Sequence, residues 1–120
     1  APTGPEVLMG STRLKAGTAT KMILNMLTTG AMARTGRVYQ NLMVDLCVSN
    51  SKLSDRALRI LRHAAGVEEE TAARLLKEAG GSVKTAIVMS LGNANADEAR
   101  RALEETGGWV GPAIEKLGRR

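Results

Sequence analysis

The stretch from Glu6 to Lys21 gathers the glycines Gly10 and Gly17, the hydroxyls of Ser11, Thr12, Thr18 and Thr20, and the cations Arg13, Lys15 and Lys21 directly ahead of the first helical pattern. That set suits a small anion. Backbone N–H groups at a helix start lack intrahelical partners, the helix dipole favours negative charge there, and glycine lets a ligand approach the main chain. A phosphate or sugar phosphate fits this chemistry. The alternative is a polar loop that caps the next helix, because the phosphate-loop spacing Gly-x-x-x-x-Gly-Lys-Ser/Thr is absent. Glu6 is the one acid near this segment, and a lone carboxylate does not make an acid–base pair. Lys52 and Arg56, four apart at the start of a later helical pattern, project from one side of it, which suits a solvated face or an anion.

Other reactive side chains carry less. His63 has basic neighbours and no second His, Cys or acid at ligand spacing, so it reads as helix surface or as a partner of the helix C-terminal dipole. Cys47 sits in an alternating apolar run as a small buried hydrophobe. Trp109 is expected to fill a seam between helices, and Met22, Met26, Met32, Met43 and Met89 to be core filler. No catalytic set, metal site or cofactor motif is complete within these residues.

A length of 120 residues holds one ordinary domain or two very small ones. Apolar residues make up 43% and aromatic ones 2%, so the core must come from Leu, Ile, Val, Met and Ala, a palette suited to packed helices. Seventeen Lys and Arg against twelve Asp and Glu give a net charge of +5. The cations are scattered and there is little aromatic surface for stacking bases, which argues against a nucleic-acid partner. One cysteine excludes an internal disulfide and fits a reducing cytoplasm. No signal peptide or long apolar run points to a membrane. The chain opens on Ala-Pro-Thr-Gly-Pro without Met, and we expect a fragment of a longer protein.

The elements that must position these residues follow from periodicity. Residues 1–10 are punctuated by Pro2, Gly4, Pro5 and Gly10 and read as coil, with Val7 to Met9 suited to a short edge strand. From Gly17 to about Met32, Ala19, Met22, Ile23, Met26, Leu27 and Gly30 share a helical face that Leu24 widens, a face made to be covered by something larger. Gly30 and Gly36 loosen its end. Val38 to Val48 then alternates in the manner of a half-buried strand, although so short a run also suits a helix. Ser49, Asn50 and Ser51 supply capping side chains for a helix that buries Leu53, Ala57, Ile60, Leu61 and Ala64 and ends at Gly66. Beyond Gly66, residues 70–87 recur 27 residues later as 97–114, each unit reading as helix, Gly-Gly turn, helix. The units look like the ubiquitin-associated three-helix module in packing scheme, and ubiquitin binding does not follow from that.

Gly4 to Lys21 closely resembles a signature of the N-acetylmuramic acid 6-phosphate etherases, which are related to the animal glucokinase regulatory protein. The resemblance continues through Asn25–Leu27, Val38–Tyr39, Asn41–Asp45, Asn50–Leu53, Lys84–Met89 and Asp97–Ala99, essentially the whole chain. It implies a cytoplasmic lyase of cell-wall recycling that cleaves the lactyl ether of N-acetylmuramic acid 6-phosphate, needs no metal, and forms homodimers of a sugar-isomerase-type α/β domain followed by helices. This chain would be the C-terminal portion: a mainly α assembly in which residues 1–50 end the sugar-isomerase-type domain and residues 51–120 form a helical bundle, or lid. The family's Gly-Thr-Ser-Gly-Arg phosphate loop and its two acid/base glutamates have no match here, and Glu6 matches a different glutamate. The resemblance implies that Glu6, Ser11, Thr12, Arg13 and Lys15 line a sugar-phosphate pocket and that Lys52 and Arg56 are lid cations that reach substrate. It implies a parent enzyme with an upstream α/β domain, and a segment inactive alone. It equally permits a non-catalytic sugar-phosphate regulator.

Overall fold

The most apolar of the helices is the most enclosed, and its neighbours are built around it. Val83–Gly92 (α4) is apolar around most of its girth, and Val83, Thr85, Ala86, Ile87, Val88 and Met89 are all buried. A helix hydrophobic on every side must be enclosed. Ser51–Ala65 (α2), Glu69–Glu78 (α3), Ala96–Glu105 (α5) and Val110–Gly118 (α6) each pack against it. The chain in this computed structural model is described over residues 1–46, 48 and 51–118, with Ser51 and Lys52 described in the backbone alone. It forms two compact units, Ala1–Arg34 and Thr35–Arg120.

The first unit carries Lys15–Arg34 (α1). This helix runs two residues further at each end than the periodicity suggests, and Gly30 does not interrupt it. None of its residues is buried, and Met26 and Leu27 stay 63% and 65% exposed. The expectation that Met22, Met26 and Met32 fill a core therefore fails for this unit; Met89 in α4 is the methionine that does so.

The second unit opens with Val38–Tyr39 (β1) and Leu42–Met43 (β2), paired antiparallel as Val38 with Met43 and Tyr39 with Leu42. The alternating run from Val38 is thus two short strands folded into a hairpin. Its turn is set by Gln40, which takes a left-handed φ of 55°. One further bond, Val44 N–H to Arg37 O at 3.1 Å, extends the pairing before Val44 enters the helical core fully buried. Asp45 then ties this segment to α4 through an ion pair with Lys84 at 3.6 Å, and it also pairs with Arg37 at 3.3 Å.

The α2 face matches its periodicity: Ala57, Ile60 and Leu61 are buried, Leu53 and Ala64 partly so. The expected capping residues Ser49 and Asn50, the Ser51 side chain and Cys47 lie outside the described residues. Helix α4 is capped by Ser82, whose Oγ accepts from Thr85 N–H at 3.3 Å and from Thr85 Oγ1 at 2.9 Å. Helix α5 starts in a capping box, with Asn95 Oδ1 accepting from Asp97 and Glu98 N–H, both at 3.0 Å, and Glu98 Oε2 accepting from Asn95 N–H at 3.0 Å.

The two Gly-Gly turns have matching geometry. Gly81 N–H donates to Leu76 O at 2.9 Å and Gly108 N–H to Leu103 O at 2.7 Å, with φ of 83° and 82° at the two glycines. These bonds satisfy carbonyls that the ends of α3 and α5 would leave open. Next to Gly108, Trp109 remains 39% exposed. It lies over Gly36, where a Cβ would come within 3.4 Å of the indole and 3.2 Å of Gly108 O, so it covers the approach to the hairpin and does not plug an interhelical seam.

Gly108→Ala is expected to cost about 1–2 kcal/mol, because alanine pays the left-handed penalty and its Cβ would meet Lys84 Nζ at 3.3 Å. Gly111→Ala, in α6 with open space around it, should instead raise stability by about 0.5–1 kcal/mol. Urea melts of the two variants check this pair: opposite signs are expected, and equal shifts would refute the account of the turn.

Candidate functional site

The opening segment of the first unit is organised by Glu6. Its carboxylate accepts from Lys15 N–H at 3.1 Å and from Ala16 N–H at 3.0 Å, nine and ten residues on in the chain. A negative group on the first N–H groups of a helix is what the macrodipole favours. The next two amides are also satisfied within the chain: Gly17 N–H donates to Thr12 O at 2.8 Å and Thr18 N–H to Leu14 O at 3.0 Å. The anion at the start of α1 is therefore Glu6 itself, and the helix-start amides that made this stretch look like a phosphate cradle are engaged.

What remains for a ligand is side chains. Thr12, Arg13 and Lys15 are exposed and Ser11 partly so, while Ser11 N–H closes a turn onto Leu8 O at 3.0 Å. Thr20 Oγ1 donates to Ala16 O at 2.9 Å, which removes one of the four hydroxyls from the set. Thus Glu6 shapes the segment, and Ser11, Thr12, Arg13 and Lys15 are presented by it.

In the second unit, Arg56 is exposed on the first half of α2. The side chain of Lys52, its expected companion, lies outside the described residues. Further along the same helix Arg59 and His63 are exposed as well, and Arg59 Nε donates to Asp55 O of its own helix at 3.4 Å. His63 is on the helix surface near its C-terminus, as expected. Arg59 was not singled out from sequence, since a lone arginine on a helix carries no signal until its neighbours' ion pairs are known.

Those pairs are informative. Arg62 is bound to Glu69 at 2.9 Å, Arg74 to Glu78 at 3.2 Å, Arg100 to Asp97 at 2.7 Å, and Lys116 to Glu105. Among the described residues, Arg56, Arg59 and His63 have no such partner. A wide groove of about 670 Å³ lies elsewhere, between α3, α4 and the start of α5, with Arg74, Ser90 and Asn93 on its wall. None of the candidate ligand-binding residues lines it. Among the described residues, no three His, Cys, Asp or Glu side chains gather as metal ligands, and no helix is long and apolar enough to cross a membrane.

Residues 40–80 match the model of the C-terminal lid domain of glucokinase regulatory protein. Longer relatives then extend the match over almost the whole chain. It is 53% identical over 116 residues to an N-acetylmuramic acid 6-phosphate etherase of Synechococcus sp. (strain CC9605), covering 97% of this chain and 37% of the relative. It is 56% identical over 112 residues to that of Mycolicibacterium smegmatis, covering 93% and 38%, and 66% identical over 88 residues to that of Symbiobacterium thermophilum, covering 73% and 29%. The chain matches the N-acetylmuramic acid 6-phosphate etherase family at high identity. It spans between about a third and two-fifths of the length of the first of these relatives, 37%.

Glu6→Ala should expose the Lys15 and Ala16 amides. Losing such a cap costs about 1 kcal/mol, so their hydrogen exchange is expected to speed up roughly fivefold, with the bundle beyond Thr35 unaffected. Unchanged exchange at both amides would show that the carboxylate does not hold the helix start.

Proposed function

We propose that the chain is the C-terminal segment of a lyase that cleaves the D-lactyl ether of N-acetylmuramic acid 6-phosphate to N-acetylglucosamine 6-phosphate and D-lactate, in cytoplasmic recycling of the cell wall. The observation that carries this reading is 53% identity to an etherase across 97% of the chain. In this reading residues 1–50 end a sugar-isomerase-type domain whose last residues, Val44 among them, pack into the bundle. Residues 51–120 are the lid, built from two helix–Gly-Gly–helix repeats with ubiquitin-associated-like packing. The parent chain adds an upstream α/β domain and forms a homodimer.

Ser11, Thr12, Arg13 and Lys15, together with Lys52 and Arg56, are the residues we assign to the sugar phosphate. A phosphate dianion rewards hydroxyl and charged donors together, and charge-assisted hydrogen bonds are the stronger kind. Glu6 serves this function indirectly by fixing the conformation of the segment that presents them. No pair of carboxylates suited to proton abstraction and return is among the assigned residues, so the acid/base work belongs to other parts of the parent enzyme. The match of residues 40–80 to the glucokinase regulatory protein lid supports a second reading, a sugar-phosphate-binding regulator without chemistry.

Two measurements test this. The chain alone is expected to release no D-lactate from N-acetylmuramic acid 6-phosphate, whereas the full-length parent does so; robust turnover by the chain alone would refute the assignment of the acid/base pair elsewhere. In calorimetric titration of the parent, Arg13→Ala and Lys15→Ala should each weaken the sugar phosphate by roughly tenfold, the scale of a charged hydrogen bond. A preference for fructose phosphates, with no lactate made by the parent, would favour the regulator.

A further inference from the structure

The basic flank of α2 extends beyond the residues assigned to the sugar phosphate. Arg56, Arg59 and His63 stand three and four residues apart, so they share one side of the helix. The buried side, Ala57, Ile60 and Leu61, is turned into the bundle. Arg62 borders the same flank, where Glu69 neutralises it at 2.9 Å. Arg56, Arg59 and His63 are different: among the described residues no acid pairs with any of the three. Arg59 gives its Nε to the main-chain carbonyl of Asp55 at 3.4 Å, and although Asp55 shares this flank, its carboxylate makes no ion pair with Arg59. Toward the C-terminal end a shallow depression of about 370 Å³ is walled by Arg59, Arg62, His63, Gly66, Val67 and Glu68. Three of those six residues are basic or imidazole donors and one is an acid.

We infer that Arg59 and His63 bind the lactyl carboxylate of the ligand, beyond the sugar-phosphate contacts assigned to Lys52 and Arg56; the inference rests on the reading of the chain as part of an N-acetylmuramic acid 6-phosphate etherase. That ligand carries two anionic groups, a phosphate on one edge of the hexosamine ring and a carboxylate on the lactyl ether at the other. A row of cations along one helix is matched to such a molecule. At about 1.5 Å of rise per residue, Arg56 to His63 covers roughly 10 Å, enough for both groups to meet positive donors on one element. A guanidinium is suited to a carboxylate because its planar fork can give two parallel N–H bonds, and an imidazole N–H can add a third. The product sugar lacks the carboxylate, so the same residues discriminate substrate from product. They position and select; bond breaking lies elsewhere.

The test compares two ligands that differ in that carboxylate. Calorimetric titration of the full-length protein is run with N-acetylmuramic acid 6-phosphate under conditions or in a variant that blocks turnover, and with N-acetylglucosamine 6-phosphate. Arg59→Ala and His63→Gln are expected to weaken the first ligand roughly two- to fivefold, the range for a solvent-screened ion pair, and to leave the second unchanged, with Arg59→Lys recovering part of the loss. Both side chains are exposed, and unchanged melting curves will show that the variants fold. Equal weakening of both ligands, or no weakening of either, overturns the carboxylate assignment while leaving the family reading intact. Failure of the unsubstituted protein to bind either sugar phosphate overturns both.

Discussion

The enclosure of α4 is the constraint on which the second unit depends. Ala86, Ile87 and Val88 are fully buried and point in three different directions around the helix, so no single neighbour can cover it. Helices α2, α3, α5 and α6 are each short, between nine and fifteen residues, and helices of that length are marginal in isolation. Each becomes stable by laying one apolar stripe on α4 or on a neighbour that touches it. The Gly-Gly turns serve the same end. They reverse the chain within a few residues, which keeps α3 and α5 next to the helices that follow them.

Polar interactions refine this arrangement. Lys84 sits in the first turn of α4, where the helix dipole disfavours a cation, and its side chain is only 15% exposed. Asp45 offsets both penalties and in doing so attaches the hairpin segment to α4, while Arg37 on the hairpin itself shares the same carboxylate. The buried Thr85 is satisfied by Ser82, so the cap of α4 and the polar content of the core are one feature. In the first unit Glu6 does comparable work by capping α1 from nine residues away.

Legibility in the sequence followed the range of the interaction. The α2 face was readable because Ala57, Ile60, Leu61 and Ala64 repeat with the helix period, and the Gly-Gly turns were readable because only glycine takes left-handed backbone without penalty. The Val38 to Met43 hairpin was not, since its turn depends on Gln40 in a left-handed conformation, for which glutamine carries no compositional signal. Glu6 reads as a lone acid in the sequence and, through the resemblance, as a pocket residue; its capping of α1 is not legible for a similar reason, since no local spacing connects residue 6 to the amides of residues 15 and 16. Of the ligand-binding candidates, the exposed positions of Thr12, Arg13, Lys15 and Arg56 were legible as polar surface. Arg59 and His63 carry no such signal in the sequence, because what sets them apart from Arg62 is an ion pair that only the structure shows.

That asymmetry has a physical reading. A helix in this bundle needs only its buried stripe for stability, so the opposite flank is free to carry groups that fold stability does not require. Unpaired cations on a solvated flank repel one another weakly and are screened by salt, which makes their cost small. An anionic ligand converts that cost into binding, because every cation already stands on a rigid helix and no side chain must be drawn from an ion pair to meet it. The paired arginines of α3 and α5 would have to give up a carboxylate first. The inner side of α2, with Ala57, Ile60 and Leu61, therefore carries the stability of this helix, and the exposed Arg59 and His63 on its outer side can be changed at little cost to the fold.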